Sequence, residues 1–306
     1  MIEIQRILCP IDFSDYSRHA LDHAVAIARW YRSTITLLHV QPIEAIYTFS
    51  PGGPLLPPSM LTSEQEAALL GSMREFAEGE ADSVPVMFEV AEGNPAPTIL
   101  ERACAMSSDL LVMGTHGRSG FERFILGSVT EKVLRRATCP VLSVPPRTPD
   151  AAPLPQALFR RILCPIDFSG GSIHALNYAV SLAKEADAHL TVLNVLEIPT
   201  ETLEYARGHD RSLPHLMRDY VKAAEENARQ RLEEAIPATE LVYCTVDRLV
   251  VAGRPYREIL RLAEADRSNL IVMGVRGRGA RDLLTFGSTT QHVVREAACP
   301  VLTLRG

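Results

Sequence analysis

Gly114-Thr-His-Gly117-Arg-Ser-Gly-Phe-Glu-Arg-Phe-Ile-Leu-Gly127-Ser128 is the stretch from which the fold is read. Leu110-Leu-Val-Met113, just before it, is a short apolar run of buried-strand type. Val129-Thr-Glu-Lys-Val-Leu-Arg-Arg136, just after it, has helical periodicity. A glycine-rich loop therefore joins a strand to a helix amino terminus. The first N–H groups of a helix have no intrahelical acceptor, and the helix dipole adds partial positive charge there. Glycines let the backbone come close to a ligand and take positive φ. Ser128 stands where an N-cap belongs, with its hydroxyl facing the same place. The chemistry this arrangement suits is holding a phosphate.

The spacing G-x2-G-x9-G-S occurs again as Gly274-Val-Arg-Gly277-Arg-Gly-Ala-Arg-Asp-Leu-Leu-Thr-Phe-Gly287-Ser288, after a second apolar run, Leu270-Ile-Val-Met273. Upstream, Arg6-Ile-Leu-Cys-Pro-Ile-Asp-Phe-Ser14 returns letter for letter as Arg161-Ile-Leu-Cys-Pro-Ile-Asp-Phe-Ser169. The chain is thus an internal duplication. Its 306 residues suit two domains of ordinary size. The expected domains are 1–146 and 159–306, joined by a Pro-rich linker over 147–158 whose prolines favour extended chain.

In the first copy, a strand ends at Asp12, and Ser14 or Asp15 caps a helix through about Arg32. Ala20, Leu21, Ala24, Val25, Ala28 and Tyr31 share its apolar face. Thr34 to Val40 is the second strand, and Thr48 to Pro58 reads as an irregular loop placed as a flap. Thr62 or Ser63 opens a helix with a capping-box partner at Glu66. A strand over Val84 to Ala91, a helix over Pro97 to about Ser107 and a last strand over Val141 to Val144 complete the unit. The second copy follows the same order, with a helix over His174 to Lys184 and a strand over Leu190 to Val195. Then come a long charged helix over Tyr220 to Ala235, a strand over Leu241 to Val250 and a helix from Glu258. Strands alternating with helices argue for βαβ units and a parallel sheet.

Hydrophobic residues make up 46% of the chain, enough for two cores, and the net charge is −6. No basic excess points to nucleic acid as a partner. No apolar run approaches membrane-spanning length, and Met1-Ile-Glu-Ile-Gln-Arg lacks the pattern of a signal peptide. None of the six cysteines forms a C-x-x-C pair, so they read as buried small hydrophobes in a cytoplasmic protein.

The duplicated glycine spacing resembles the nucleotide-binding signature of universal stress proteins, in the subclass that binds ATP. The resemblance covers nearly the whole chain as two tandem copies. It implies two doubly wound α/β domains of the adenine nucleotide alpha-hydrolase-like kind, each with a five-stranded parallel sheet of order 3-2-1-4-5. It implies an adenine nucleotide as ligand: ATP, or AMP or ADP, with or without Mg2+. It places ligand contacts at Pro10, Asp12, Val40, Gly114, Gly117, Arg118, Gly127, Ser128 and Val129. In the second copy the matching positions are Pro165, Asp167, Val195, Gly274, Gly277, Arg278, Gly287, Ser288 and Thr289. In similar single-domain proteins the last strand pairs across a dimer. An intramolecular pseudo-dimer of the two domains is therefore expected, and a homodimer is admissible.

Several residues carry two readings. Asp12 and Asp167 end strands at the carboxyl edge, where a doubly wound sheet opens its ligand crevice; each is a ligand for ribose or base, or a helix cap. Val40 and Val195 are adenine contacts, core residues, or both. Arg118 and Arg278 neutralise phosphate or are surface charges. Ser128, Thr130, Ser288, Thr289 and Thr290 donate to phosphate oxygens or, as Ser128 and Ser288 also could, cap helices. His116 of the first copy matches Arg276 of the second. The loops are neither G-x-x-x-x-G-K-[ST] nor G-x-G-x-x-G. The nine histidines have no metal-ligand spacing, and His19 and His23 do not recur as a pair. No catalytic constellation stands out, and the resemblance implies a stress-response protein, so a regulatory rather than catalytic use of nucleotide is expected. The rival readings are a slow Mg-dependent ATPase or phosphotransferase, and a scaffold without nucleotide.

Overall fold

The computed structural model describes residues 2–43, 61–79, 83–116, 126–146, 159–198, 215–236, 244–277 and 286–305. They fall into two compact units, Glu3–Leu154 and Pro155–Gly306 with Met1–Ile2. The expected flap over Thr48 to Pro58, the linker, Gly117, Arg118 and Arg278 lie outside the described residues.

The first unit runs β1 (Arg6–Ile11), α1 (Asp15–Tyr31), β2 (Thr34–Gln41), α2 (Ser63–Ala77), β3 (Val86–Glu92), α3 (Pro95–Ala105), β4 (Leu110–Gly114), α4 (Ser128–Arg136) and β5 (Val141–Val144). The second runs β6 (Arg161–Pro165), α5 (Gly170–Ala186), β7 (His189–Leu196), α6 (His215–Ala235), β8 (Thr245–Ala252), α7 (Pro255–Ala265), β9 (Leu270–Gly274), α8 (Ser288–Glu296) and β10 (Val301–Leu304). Within the first unit the sheet order is β3-β2-β1-β4-β5, all parallel. Within the second it is β8-β7-β6-β9-β10, also parallel. Both are the expected 3-2-1-4-5.

Parallel strands with helices on both faces read as unbroken apolar runs. After its first residue β1 is buried throughout, and β4 is buried along its length. Leu8, Leu37, Leu38 and Leu111 have no exposed surface. Fully burying one such side chain stabilises by roughly 1.5–3 kcal/mol.

The central strand contains a proline, which ordinarily breaks a sheet ladder. Here the ladder toward β4 has already ended. β1 pairs β4 only at Ile7↔Leu110 and Leu8↔Leu111, while its pairing with β2 continues to Ile11↔His39. The N–H that Pro10 lacks therefore falls where β1 and β4 part. Pro165 holds the same position, since β6 pairs β9 only at Ile162 and Leu163.

Caps settle several boundaries. Ser14 is the N-cap of α1, accepting from Ser17 N–H, and Arg32 ends the helix in the left-handed region. Thr62 caps α2 in a full capping box, but its reciprocal partner is Gln65, not Glu66. α3 starts at Pro95 and α7 at Pro255, each earlier than expected, because proline suits the first helical position. The buried face of α1 also takes in His23 and Ile27, while Tyr31 is half-buried. No helix among the described residues is long and apolar enough to cross a membrane.

His23 is 4% exposed and its Nδ1 lies 2.9 Å from the His19 carbonyl. Burial depresses its pKa from 6.5 to about 4, against the smaller opposing effect of that hydrogen bond. The unfolded chain therefore takes up a proton that the folded one refuses. The contribution of His23 is complete above pH 6.5 and is lost as pH falls toward about 4. The expected loss is up to about 3 kcal/mol. Denaturation of the full chain across this range, compared with His23→Leu, should show the slope flattened in the variant. An unchanged slope would assign the acid sensitivity elsewhere.

Candidate functional site

At the end of β1 the chain turns sharply into α1. Asp12 Oδ1 accepts from the Ser14 N–H at 3.1 Å and the Ser14 hydroxyl at 2.5 Å. The Asp12 N–H donates to Ser17 Oγ at 3.4 Å. Between Asp12 and Ser14, Phe13 has φ 62°. The second unit repeats each feature. Asp167 Oδ1 accepts from Ser169 at 3.0 and 2.6 Å, and Phe168 also has φ 62°. A bulky residue in the left-handed region costs on the order of 1–3 kcal/mol and persists only where surroundings enforce it. The Phe13 ring packs 4.8 Å from His39 and edge-on to Phe76 at 5.7 Å. The Phe168 ring lies 4.0 Å beneath the Arg231 guanidinium.

The aspartates are therefore not the N-caps; the serines are. One carboxylate oxygen holds the turn and fixes the group at the carboxyl edge. In the second unit the glycine loop comes to the other oxygen. A Cβ on Gly277 would stand 2.5 Å from Asp167 Oδ2. Asp167 and the second motif glycine thus lie against each other, and a side chain at 277 would have to displace the carboxylate.

The other motif glycines among the described residues are also explained by close approach. The expectation of positive φ is not met: Gly127 has φ −57° and Gly287 φ −62°. A Cβ at Gly114 would meet the Tyr16 carbonyl at 3.0 Å, and one at Gly274 would meet Gly171 at 2.9 Å. The absent side chain lets the end of β4 or β9 lie against the first turn of α1 or α5. At Gly127 and Gly287 a Cβ would meet the Thr115 and Val275 carbonyls at 3.2 and 3.1 Å. Those carbonyls accept the glycine N–H groups at 2.8 and 3.0 Å.

The expectation that Ser128 and Ser288 cap their helices is corrected. Gly127 and Gly287 are the N-caps, without a capping side chain, and each serine is the first helical residue with an exposed side chain. Thr130 and Thr290 are corrected too. Their hydroxyls donate to the Gly114 and Gly274 carbonyls at 2.8 and 3.0 Å, which spends their single proton on strapping helix to strand. The N–H groups of Ser128, Val129 and Thr130, and of Ser288, Thr289 and Thr290, have no acceptor within the helix. They stand one residue beyond a glycine tied to the end of β4 or β9.

Val40 is 7% exposed and lies one step beyond the Ile11↔His39 pair, level with Asp12. Val195 holds the same place and is half-buried. Beside them are two residues that sequence reasoning missed. His39 Nδ1–H donates to the Ile11 carbonyl at 3.0 Å, and Asn194 donates to the Ile166 carbonyl at 2.8 Å. Each pins the second strand to the residue before the aspartate. The signal was present as one polar residue at the same repeat position in an otherwise apolar strand end.

His116 is 7% exposed, with Nδ1 3.0 Å from Thr115 Oγ1 and its ring 5.4 Å from Tyr16. His19 and His23 each turn Nδ1 to a backbone carbonyl, Pro145 and His19 respectively. None of the six cysteines forms a disulfide. Burial pushes Cys9 up to about 12, Cys139 to about 11 and Cys299 to about 12, and raises Cys164 further. Cys104 is exposed.

The chain belongs to the universal stress protein family: the family model matches it twice, over residues 3–145 and 158–305. A universal stress protein of Methanocaldococcus jannaschii is 36% identical over 140 residues, 46% of this chain and 81% of that protein. A universal stress protein of Mycobacterium tuberculosis is 26% identical over 309 residues, 98% of this chain and 96% of that one. The crystal structure of a universal stress protein from Archaeoglobus fulgidus has the same fold, with a TM-score of 0.68 at 23% identity, covering 100% of this chain and 98% of that one.

Thr130→Val and Thr290→Val should each lower stability by about 1–3 kcal/mol, because a buried carbonyl loses its donor. Ser128→Ala should change it by much less, its side chain being exposed at the first helical position. Chemical denaturation of the three variants checks this. Equal losses at Thr130 and Ser128 would show that the strap is not the threonine's role.

Proposed function

We propose that each unit binds one adenine nucleotide, foremost ATP, at the carboxyl edge where β1 parts from β4 and β6 from β9. The nucleotide acts as a regulatory ligand in a stress response rather than as a substrate. The observation that carries this reading is the close approach of Gly277 to the Asp167 carboxylate, in a unit whose α8 begins one residue after Gly287. A carboxylate that accepts hydroxyl protons and a row of helix N–H groups that accept an anion are the two ends a nucleotide requires.

The residues fit such a ligand. Asp12 and Asp167 would accept from ribose hydroxyls or a base amino group. Val40 and Val195 would offer backbone and apolar surface to adenine. Gly127, Ser128 and Val129, with Gly287, Ser288 and Thr289, would hold phosphate oxygens through N–H and hydroxyl donors, with Arg118 and Arg278 as neutralising charges. Pro10 and Pro165 would keep the crevice open where the strands divide. A Mg2+ ion would come with the phosphates: no three His, Cys, Asp or Glu side chains converge among the described residues. Donors of this kind hold ground state and transition state about equally, and uniform binding does not accelerate chemistry.

Calorimetry on the full chain should give two adenine nucleotides per chain, and extraction of purified protein should release nucleotide. Gly127→Leu and Gly287→Leu should each remove one site, with denaturation midpoints recorded alongside because the new side chain also meets a carbonyl. Unchanged stoichiometry in both variants would reject the assigned loops. Phosphate release on the order of 1 s⁻¹, lost in Ser128→Ala/Ser288→Ala, would make the protein an ATPase instead.

A further inference from the structure

The two copies differ where the phosphates would lie. In the second unit, Leu304 pairs with Gly274, and the Val275 N–H donates to the Leu304 carbonyl at 2.9 Å. Arg305 thus stands level with Val275, and Arg276 follows one residue on, at the carboxyl edge of neighbouring strands. The Arg276 Cα lies 3.7 Å from where a Cβ of Gly287 would be, at the start of α8. Arg276 Nε is buried and has no hydrogen-bond partner among the described residues. The first unit has the same backbone, with the Thr115 N–H donating to Val144 at 2.9 Å. Its side chains there are His116 and Pro145. His116 is turned toward Thr115 and Tyr16, whereas the second unit has Gly171 in place of Tyr16.

We infer that Arg276 and Arg305 form a cationic pair at the phosphate end of the second unit's site, so that this unit selects nucleoside triphosphate over monophosphate and the first unit does not. This rests on the nucleotide reading above. Two guanidinium groups brought together repel each other, and a buried donor without an acceptor costs free energy. A multiply charged anion relieves both at once, and arginine's planar fork suits phosphate oxygens. Burial first, and the Arg276 charge second, hold the Arg305 pKa below its usual range, as expected for neighbouring cations. Each phosphate added to the ligand gains more from this pair than from the proline and imidazole of the first unit.

The test titrates ATP and AMP separately into the full chain, the Arg276→His/Arg305→Pro variant that copies the first unit, and Arg276→Gln/Arg305→Gln in case the proline disturbs the strand end. The wild type should bind ATP in two affinity classes. Either variant should weaken the tighter ATP class by about tenfold or more, the effect of losing a charge-assisted hydrogen bond. AMP binding should stay within about twofold. The ATP difference between wild type and variant should shrink with added salt, since screening acts on charge. An ATP-to-AMP affinity ratio unchanged in both variants, with AMP still bound, overturns the inference and leaves the nucleotide reading standing. Equal loss of ATP and AMP assigns the pair a structural role and also overturns it. Failure of wild type to bind either nucleotide overturns both readings.

Discussion

Asp12 Oδ1 takes two hydrogen bonds from Ser14, and the rest of the site depends on that contact. They hold Phe13 in a backbone region that phenylalanine avoids, and the sharp turn this produces drops the chain from the central strand into α1. The Ser17 and Ser172 hydroxyls brace the turn from the helix side. Without the turn the first helical coil would not lie against β4, and the close approach at Gly114 would have no purpose. The aspartate does structural work with one oxygen, and that work positions the whole carboxylate. The capping atom is on the serine, and the aspartate carboxylate organises the turn at the carboxyl edge.

The duplication separates what the architecture requires from what each copy has adjusted. Both copies keep the aspartate, the left-handed phenylalanine, the capping serine, the glycines and the threonine strap. These are backbone contacts and close approaches, where a single added methyl group meets a carbonyl or carboxylate. What varies is side chain with room to vary. His39 and Asn194 make the same hydrogen bond with different chemistry. Phe76 covers Phe13 in one unit and Arg231 covers Phe168 in the other. Tyr16, His116 and Pro145 give way together to Gly171, Arg276 and Arg305, which changes the charge at the end of the crevice without moving its backbone.

The apolar runs, the alternation of strands and helices, and the repeated spacing made the duplication and the βαβ alternation legible in the sequence. The family resemblance implied the strand order. These features are local or periodic, so no knowledge of distant contacts is needed to see them. Helix starts were less legible, because Pro95 and Pro255 open helices although proline elsewhere ends them. Neither hydroxyl near the start of α4 is a cap: Ser128 is exposed and Thr130 straps the helix to β4, a distinction that two hydroxyl residues do not show in sequence. Only the position of the Gly114 carbonyl decides which of them is a strap.

The sequence by itself determined that there are two copies, that each joins a strand-end aspartate to a glycine-gated helix, and which residue types stand at the candidate site. Only the tertiary structure decided why those residues must be what they are. The glycines answer to carbonyls and a carboxylate that belong to other elements: Tyr16 for Gly114, Gly171 for Gly274 and Asp167 for Gly277. The proline in the central strand is tolerable because its neighbour on one side has already diverged. Arg305 stands one residue from level with Arg276 because β9 and β10 end together, although 28 positions separate residues 276 and 305 in the chain. Spacing within a chain records periodicity, whereas exclusion, pairing and charge proximity act across space, and those are set only when the strands are laid side by side.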